Sequence, residues 1–359
     1  MNTWGENIKI SIFGESHGNG IGVVIDGIPS GTVIDDSFIL NEMQRRAPGK
    51  NLISTPRKES DTVEILSGVV NGKTSGTPIC GIIKNTNTIS KDYQPEMIRP
   101  GHADFTGFCR YGENHDYRGG GHFSGRLTAP LVFAGALAKI VLKSQGISVG
   151  AHIKQVDNIY DDSFDSVKLT ATDLLRAGQK NFPVLNDVQG EKMQALIMQA
   201  RENQNSVGGV VECGIIGMPK GLGSPFFGSV ESRLSSMMFS VPAVKGIEFG
   251  AGFSFAKMSG KEANDEFYTD GNAVKTYTNH NAGINGGISN GMPIIFRCVI
   301  KPTPSIALPQ QTVDIKKMKN ATHVIKGRHD PCIVHRANVV IESAAAITIL
   351  DMLQDGRRV

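Results

Sequence analysis

Cysteine is scarce and scattered. The five thiols, at positions 80, 109, 213, 298 and 332, contain no CxxC pair. That excludes a disulfide framework and a thiolate zinc site, and it points to a reducing compartment. No apolar run approaches the ~18 residues needed to cross a bilayer. Met1-Asn2-Thr3-Trp4-Gly5-Glu6 has neither the basic start nor the apolar stretch of a signal peptide, so the cytoplasm is the expected location and no membrane partner is expected. Charge of one sign is missing as well. Lys and Arg number 37 against 34 Asp and Glu, a net of +3, too balanced for a nucleic-acid-binding domain. Any anion site must therefore be local.

Glycine is what the chain has in excess. It accounts for 42 of 359 residues, about 12% against a usual ~7%. The glycines cluster between apolar runs, and a hydrophobic content of 40% suffices for a sizeable core. This is the composition of an enzyme whose loops wrap ligands.

Ile8, Ile10 and Ile12 alternate with Lys9 and Ser11, which predicts a half-buried strand, and Val23-Val24-Ile25 predicts a second. Between them stands Gly14-Glu15-Ser16-His17-Gly18, a hydroxyl and an imidazole between glycines that allow a sharp turn and close ligand approach. Asp35 or Asp36 caps a predicted helix to about Arg46, broken by Ala47-Pro48-Gly49. Val63 to Val70 and Thr77 to Ile83 read as strands joined by Asn71-Gly72. Residues 84–123 are expected to be mostly irregular and, at that length, functional. Small-residue helices are predicted from Ser124 to Gln145 and from about Ala337 to Met352, both suited to a buried layer. An exposed helix over 187–203, a helix over 230–238, strands over 207–217 and 294–300, and a Gly/Asn loop over 279–287 are the other expectations. No clean boundary divides the chain, so residues 1–359 are read as one domain.

The Ser16-His17 stretch fits G-x-S-x-G, the nucleophile turn of serine hydrolases, but that motif needs a helix after it and the glycines at 18, 20 and 22 predict a strand. The same absence of a helix excludes a dinucleotide fingerprint. Histidine is also the side chain best suited to proton transfer near neutrality. Arginines sit beside Gly or Pro in non-periodic segments, among them Arg57, Arg99, Arg118 and Arg328, while Arg46 ends a predicted helix just before Ala47-Pro48 and Arg126 is placed in the first turn of an apolar helix. A guanidinium grips phosphate or carboxylate bidentately, and a helix N-terminus adds attraction for anions. A multiply charged small anion or a cofactor phosphate is the ligand that this pattern suggests. His102-Ala103-Asp104 and Arg328-His329-Asp330 are fragments of metal-ligand type, without a convincing third ligand. His115, His152, His280, His323 and His335 are read as solvated or hydrogen-bonded residues.

Taken together, the motifs resemble the chorismate synthase family nearly end to end. Gly14 to Gly18, Arg45-Arg46 with Pro48-Gly49, Arg99 to Asp104, Asp116 to Gly121 and Ser124-Gly125-Arg126 follow in family order, as do Ala243 to Gly246, Gly286 to Ser289, Lys301 to Ser305 and Arg328 to Cys332. The resemblance implies a lyase converting 5-enolpyruvylshikimate 3-phosphate to chorismate and phosphate by anti-1,4 elimination, the last common step toward aromatic amino acids. It implies reduced FMN, with FAD and NADP as associated flavin and reductant names, supplied by an external flavin reductant. It implies an α+β fold, a β-α-β sandwich with central long helices between antiparallel sheets and glycine-rich active-site loops, assembled as a homotetramer. Ser16, His17, His102 and Asp330 match catalytic positions, and Arg46, Arg57, Arg126 and Arg328 match substrate-anion positions. His122, Phe123, Ser124, Ala243, Gly286, Lys301, Pro302, Thr303, Pro304, Ser305 and Arg328 match flavin-binding positions. By this likeness, His17 manages the proton at the departing phosphate and His102 stands by the flavin's pyrimidine edge. Asp330, helped by Ser16, relays the ring proton toward the flavin. His122-Phe123 stands where the family has Arg-Ser, Leu127 where it has Glu, and Leu52 where a basic residue is common.

Overall fold

The computed structural model describes residues 2–49, 61–86, 94–325 and 330–355. From the N-terminus come β1 (Thr3–Trp4), β2 (Lys9–Gly14), β3 (Gly20–Asp26), helix α1 (Asp36–Arg46), β4 (Glu64–Ser67), the small hairpin β5 (Val69–Val70) and β6 (Lys73–Thr74), and β7 (Ile79–Lys84). Helices α2 (Asp104–Tyr111) and α3 (Thr128–Ser144) precede β8 (Ser148–Val156), β9 (Ile159–Tyr160), α4 (Ala171–Gly178), α5 (Asp187–Glu202), β10 (Gly209–Ile216), α6 (Val230–Met238) and β11 (Val244–Phe249). After α7 (Gly260–Ala263) follow the hairpins β12 (Phe267–Thr269)/β13 (Val274–Thr276) and β14 (Ile284–Asn285)/β15 (Ile288–Ser289). Then come β16 (Ile294–Ile300), the hairpin β17 (Gln310–Asp314)/β18 (Lys319–His323) and α8 (Val334–Asp355).

Two five-stranded antiparallel sheets carry the architecture, in orders β1-β2-β3-β7-β4 and β11-β16-β10-β8-β9. The run Val23-Val24-Ile25 falls in β3, whose alternate residues Ile21, Val23 and Ile25 are all buried. The two long helices lie between the sheets: α3 packs on β3 and β7, α8 packs on β8 and β10, and each packs on the other. The fold is α+β, with helices between antiparallel sheets. Gly135 makes the helix crossing close, because a Cβ there would stand 2.2 Å from Ser343 Cβ. Two helical stretches, Arg118–Ser144 and Val334–Asp355, are after all long and apolar enough to span a bilayer, yet 83% of each apolar window is buried inside the fold. Burial on every side is the reason they lack a polar face.

Helix α1 begins where Asp35 accepts from Phe38 N at 2.9 Å and ends before Pro48, which cannot continue it. Its buried side is ionic. Glu42, Arg45, Lys139 and Glu342 form a closed quartet joining α1, α3 and α8, with Arg45 Nη2 to Glu342 Oε1 at 2.5 Å and Lys139 Nζ to Glu42 Oε2 at 2.6 Å. Two acids and two bases balance, so no buried charge is left over within the quartet. Burial alone would raise the Glu342 carboxyl, but Arg45 and Lys139 hold it down at about 2. Arg45, part of the Arg45-Arg46 motif, is therefore committed to the core, and it fixes the helix that presents Arg46.

The predicted helix from Ser124 begins later than expected. A short 3-10 turn, Gly125–Leu127, precedes α3, and the Ser124 hydroxyl caps that turn by accepting from Arg126 N at 3.3 Å. Arg126 thus sits ahead of the α-helix rather than in its first turn. The stretch expected to be irregular holds α2, tied at its start by Asp104 to Arg99. Strands β8 and β11 carry no sequence expectation, and both belong to the second sheet.

Candidate active site

Strand β2 ends at Gly14, the chain turns through Ser16 and His17, and β3 takes over. A strand after the turn leaves no helix for a hydrolase nucleophile elbow. Ser16 and His17 are 1% and 9% exposed. Ser16 N donates to Gly121 O at 3.1 Å, and Ser16 Oγ, fully buried, has no hydrogen-bond partner among the described residues. Gly119 presses against the pair: a Cβ there would lie 2.4 Å from His17 Cδ2 and 3.0 Å from Ser16 Oγ. Gly119, Gly120 and Gly121 all have φ between +52° and +83°, a backbone only glycine adopts without strain.

A second cluster gathers around His102. Its Nε2 meets Ser305 Oγ at 2.5 Å, and Lys301 Nζ donates to Gly101 O at 2.6 Å. Lys301 N in turn donates to Ala243 O at 3.0 Å. The Lys301-Pro302-Thr303-Pro304-Ser305 segment is held from the other side, where Ser206 Oγ donates to Thr303 O at 2.6 Å. Thr303 Oγ1 is buried without a hydrogen-bond partner among the described residues. The fold thus joins His102 to Ala243 and the 301–305 segment.

Between the glycine turn and His102 opens a cavity of about 110 Å³, lined by His102, Asp116, Tyr117, Gly119, Phe123 and Ser124, among others. Two carboxylates flank it. Burial alone would raise Asp116, but its paired bonds to Arg118, at 2.8 and 2.9 Å, hold it below the usual range, with His17 adding to the pull. Asp104 is likewise held down by Arg99 against its burial, with a smaller contribution from His102. Both oxygens of Asp104 are committed to Arg99, so the His102-Ala103-Asp104 fragment is built as an ion-pair loop. The His122 ring is held at both nitrogens: Nδ1 bonds Gly14 O at 2.9 Å and Nε2 meets Asn2 Oδ1 at 3.2 Å.

The arginines converge on a residue that the sequence reading did not single out. Arg46 Nε lies 3.0 Å from Asp61 Oδ2, and Arg126 Nη1 pairs with Asp61 Oδ1. Arg46 Nη1 also donates to Arg126 O at 3.2 Å. All three side chains are buried. Asn85, also missed, bridges Arg126 to the Ser16-His17 turn. Asp330 pairs with Arg336 at 2.6 Å, and Arg336 Nε donates to Arg46 O at 2.9 Å, which ties Asp330 to the C-terminal end of α1. Gly286 forms the β14–β15 turn beside Gly287, which packs on Ser229 at the start of α6; it is not among the cavity-lining residues. Arg57, Arg328 and Leu52 lie outside the described residues.

Of the histidines read as ordinary, His115 is hydrogen-bonded to Gly112 O at 2.8 Å, though it also lines the cavity. His152 is hydrogen-bonded to Asp161 and Glu212, both at 3.0 Å. His335 departs from that reading. It is buried, its Nδ1 lacks a hydrogen-bond partner among the described residues, and burial pushes its imidazole down to about 4.

Comparison with known proteins agrees with this geometry. The family model described as chorismate synthase matches residues 8–354. A chorismate synthase of Dehalococcoides mccartyi is 45% identical over 98% of this chain and 96% of its own length. One of Methanobrevibacter smithii is 43% identical over 99% and 97%. A solved structure titled as a crystal structure of chorismate synthase superposes with a TM-score of 0.78 at 28% identity, over 98% of this chain and 93% of the other. The chain belongs to the chorismate synthase family.

Proposed function

We propose that this chain is a carbon–oxygen lyase that converts 5-enolpyruvylshikimate 3-phosphate to chorismate and phosphate by anti-1,4 elimination. The observation that supports placing the reaction here is a chain of contacts: Gly119 lines the cavity beside His102 and presses on the buried Ser16-His17 turn, and Asn85 ties that turn to the Arg46–Asp61–Arg126 site. The substrate bears a phosphate and two carboxylates, and the buried Arg46 and Arg126 are planar donors for such groups. Arg57 and Arg328 are assigned to the same anions. His17 is assigned the proton at the departing phosphate. Asp330 is assigned the proton lost from the ring, with the Ser16 hydroxyl, unpartnered among the described residues, as its relay.

The family is flavin-dependent, and we assign reduced FMN. The residues present fit such a group: a buried Thr303 hydroxyl without a partner among the described residues, the Lys301 ammonium, and an aromatic and glycine-lined cavity beside His102. Lys301 to Ser305, Ala243, Gly286, Arg328 and the His122-Phe123-Ser124 backbone would hold it. When bound, the reduced flavin supplies transient electron density without net redox change. One domain, a homotetramer, an external flavin reductant and a cytoplasmic location complete the reading. A core running unbroken from β2 and β3 through α3 and α8 to β10 and β16 favours one domain.

The test is an anaerobic assay with reduced FMN and the enolpyruvyl substrate. Absence of phosphate release sinks the assignment. His17→Ala and His102→Ala are each expected to lower turnover by roughly 10²-fold or more, the scale of a lost acid–base group. Near-normal rates remove those roles.

A further inference from the structure

Asn85 follows the last residue of β7, where the register Gly20↔Lys84 fixes its position beside the Ser16-His17 turn. Its side chain makes three bonds to two separate parts of the site. Nδ2 donates to Glu15 O and to Gly18 O, both at 2.9 Å, so the amide spans the two ends of the turn that holds Ser16 and His17. Oδ1 accepts from Arg126 Nε at 3.1 Å. The amide orientation is forced. Two carbonyl oxygens can only accept and a guanidinium nitrogen can only donate, so one flip satisfies all three bonds and the other satisfies none. Asn85 N also donates to Asn19 O at 3.2 Å, which locks the backbone that carries the amide. On its other side Arg126 continues through Asp61 to Arg46.

We propose that Asn85 is a positioning residue, which sets the His17 imidazole and the Arg126 guanidinium in one register. The inference rests on the roles assigned above to His17 and Arg126. Among uncharged side chains only the amides offer two donors and one acceptor in this planar arrangement, and glutamine would carry the group one methylene farther. Aspartate has the same shape but no donor. It would turn a charge toward Glu15 O and Gly18 O while forming an ion pair with Arg126.

The experiment compares Asn85→Ala and Asn85→Asp with the wild type in the anaerobic assay, with flavin affinity and thermal unfolding measured alongside. Misplacement on the scale of an ångström costs up to about 10²-fold, so kcat is expected to fall roughly 10- to 100-fold in both variants. The KM for the phosphorylated substrate should rise more in Asn85→Asp than in Asn85→Ala, because only the carboxylate competes with substrate for Arg126. Flavin affinity should stay within about twofold, since Lys301 to Ser305 make no bond to Asn85. An equal or smaller KM change in Asn85→Asp overturns the proposal, as does wild-type kcat in both variants. Failure of the shape-matched Asn85→Asp to fold also overturns it, in favour of a purely structural asparagine. His17→Ala separates the levels. If it too keeps wild-type turnover, the underlying assignment falls. If it loses turnover while both Asn85 variants keep theirs, the inference alone falls.

Discussion

A single methyl group at Gly119 should disable the site. Its Cβ would stand 2.4 Å from His17 Cδ2 and 2.5 Å from Nε2, whereas ordinary contact begins near 3.4 Å. The ring or the glycine loop must therefore give way by about 1.0 Å, the difference between 3.4 and 2.4. His17 has little room to retreat, being 9% exposed beside a Ser16 that is 1% exposed. The backbone adds strain of its own, because φ at Gly119 is +61° and a left-handed conformation costs an alanine about 1–2 kcal/mol. A displacement of about 1 Å in a catalytic group costs on the order of 10²-fold, or ~2.7 kcal/mol in the barrier. Gly119→Ala is thus expected to lower kcat by about that factor in the anaerobic phosphate-release assay, with the unfolding temperature down by a few degrees. Gly260→Ala is the control, since a Cβ there meets nothing within 4 Å, its φ lies outside the positive range and it does not line the cavity. Wild-type turnover in Gly119→Ala, or equal losses in the two variants, would refute the steric reasoning.

Two further outcomes concern the core. Gly135→Ala would place a methyl 2.2 Å from Ser343 Cβ and 2.5 Å from its Cα, so α3 and α8 must part. Overpacking of this kind costs about 1–3 kcal/mol, read as a lower denaturation midpoint with turnover per folded enzyme unchanged. Stability should also peak near pH 6.5, because two buried histidines act in opposite senses on either side of it. Burial opposes a charge on His152, but its bonds to Asp161 and Glu212 win and raise it above 6.5. Its contribution is complete below pH 6.5 and is lost as pH climbs through the folded value. Burial lowers His335 to about 4 despite Asp330, so its contribution is present above pH 6.5 and is lost as pH falls toward 4. In urea titrations from pH 5 to 9, His152→Asn should flatten the alkaline limb and His335→Asn the acid limb. A wild-type profile without a maximum in that range contradicts both assignments.

Local rules made some of this molecule readable. Alternation marked β2 and the apolar run Val23-Val24-Ile25 marked β3, the Asp35 cap and Pro48 bounded α1, and the runs over 230–238 and 294–300 became α6 and β16 with the expected ends. Helix α2 escaped because Gly107 stands in its middle. There the glycine is required, since a Cβ would lie 2.9 Å from Phe123 Cε2, and tertiary contact overrides propensity. Strand β8 escaped because its alternation is masked. Helix α8 covers one face, while Phe164 and the Asp161 loop cover the other, so even polar His152 is fully buried. Within the site, the Ser16-His17 turn was visible from its glycines. Asp61 and Asn85 were not, because each meaning arises only when β7, α1 and the turn before α3 come together. An asparagine at a strand end and an aspartate in a charged loop look ordinary until the chain has folded.

The near-neutral charge of the chain raised the question of how it could build a strong anion site. The answer lies in how its arginines are held. Arg99 is gripped by Asp104, Arg118 by Asp116, Arg336 by Asp330, and Arg46 with Arg126 by the single carboxylate of Asp61. A free arginine carries about 2 kcal/mol of rotamer entropy that a ligand would have to quench. Carboxylates that fix the guanidinium during folding remove that cost from the binding step, and they keep the net charge near zero. The Arg46–Asp61–Arg126 arrangement differs from the others in placing two guanidinium groups, 2% and 6% exposed by residue, on one acid. Buried charges act through a medium of lower effective dielectric than water. Under the proposed assignment of Arg46 and Arg126 to the substrate anions, that local concentration of fixed, poorly screened cations is how a chain of net charge +3 would hold a substrate with three anionic groups.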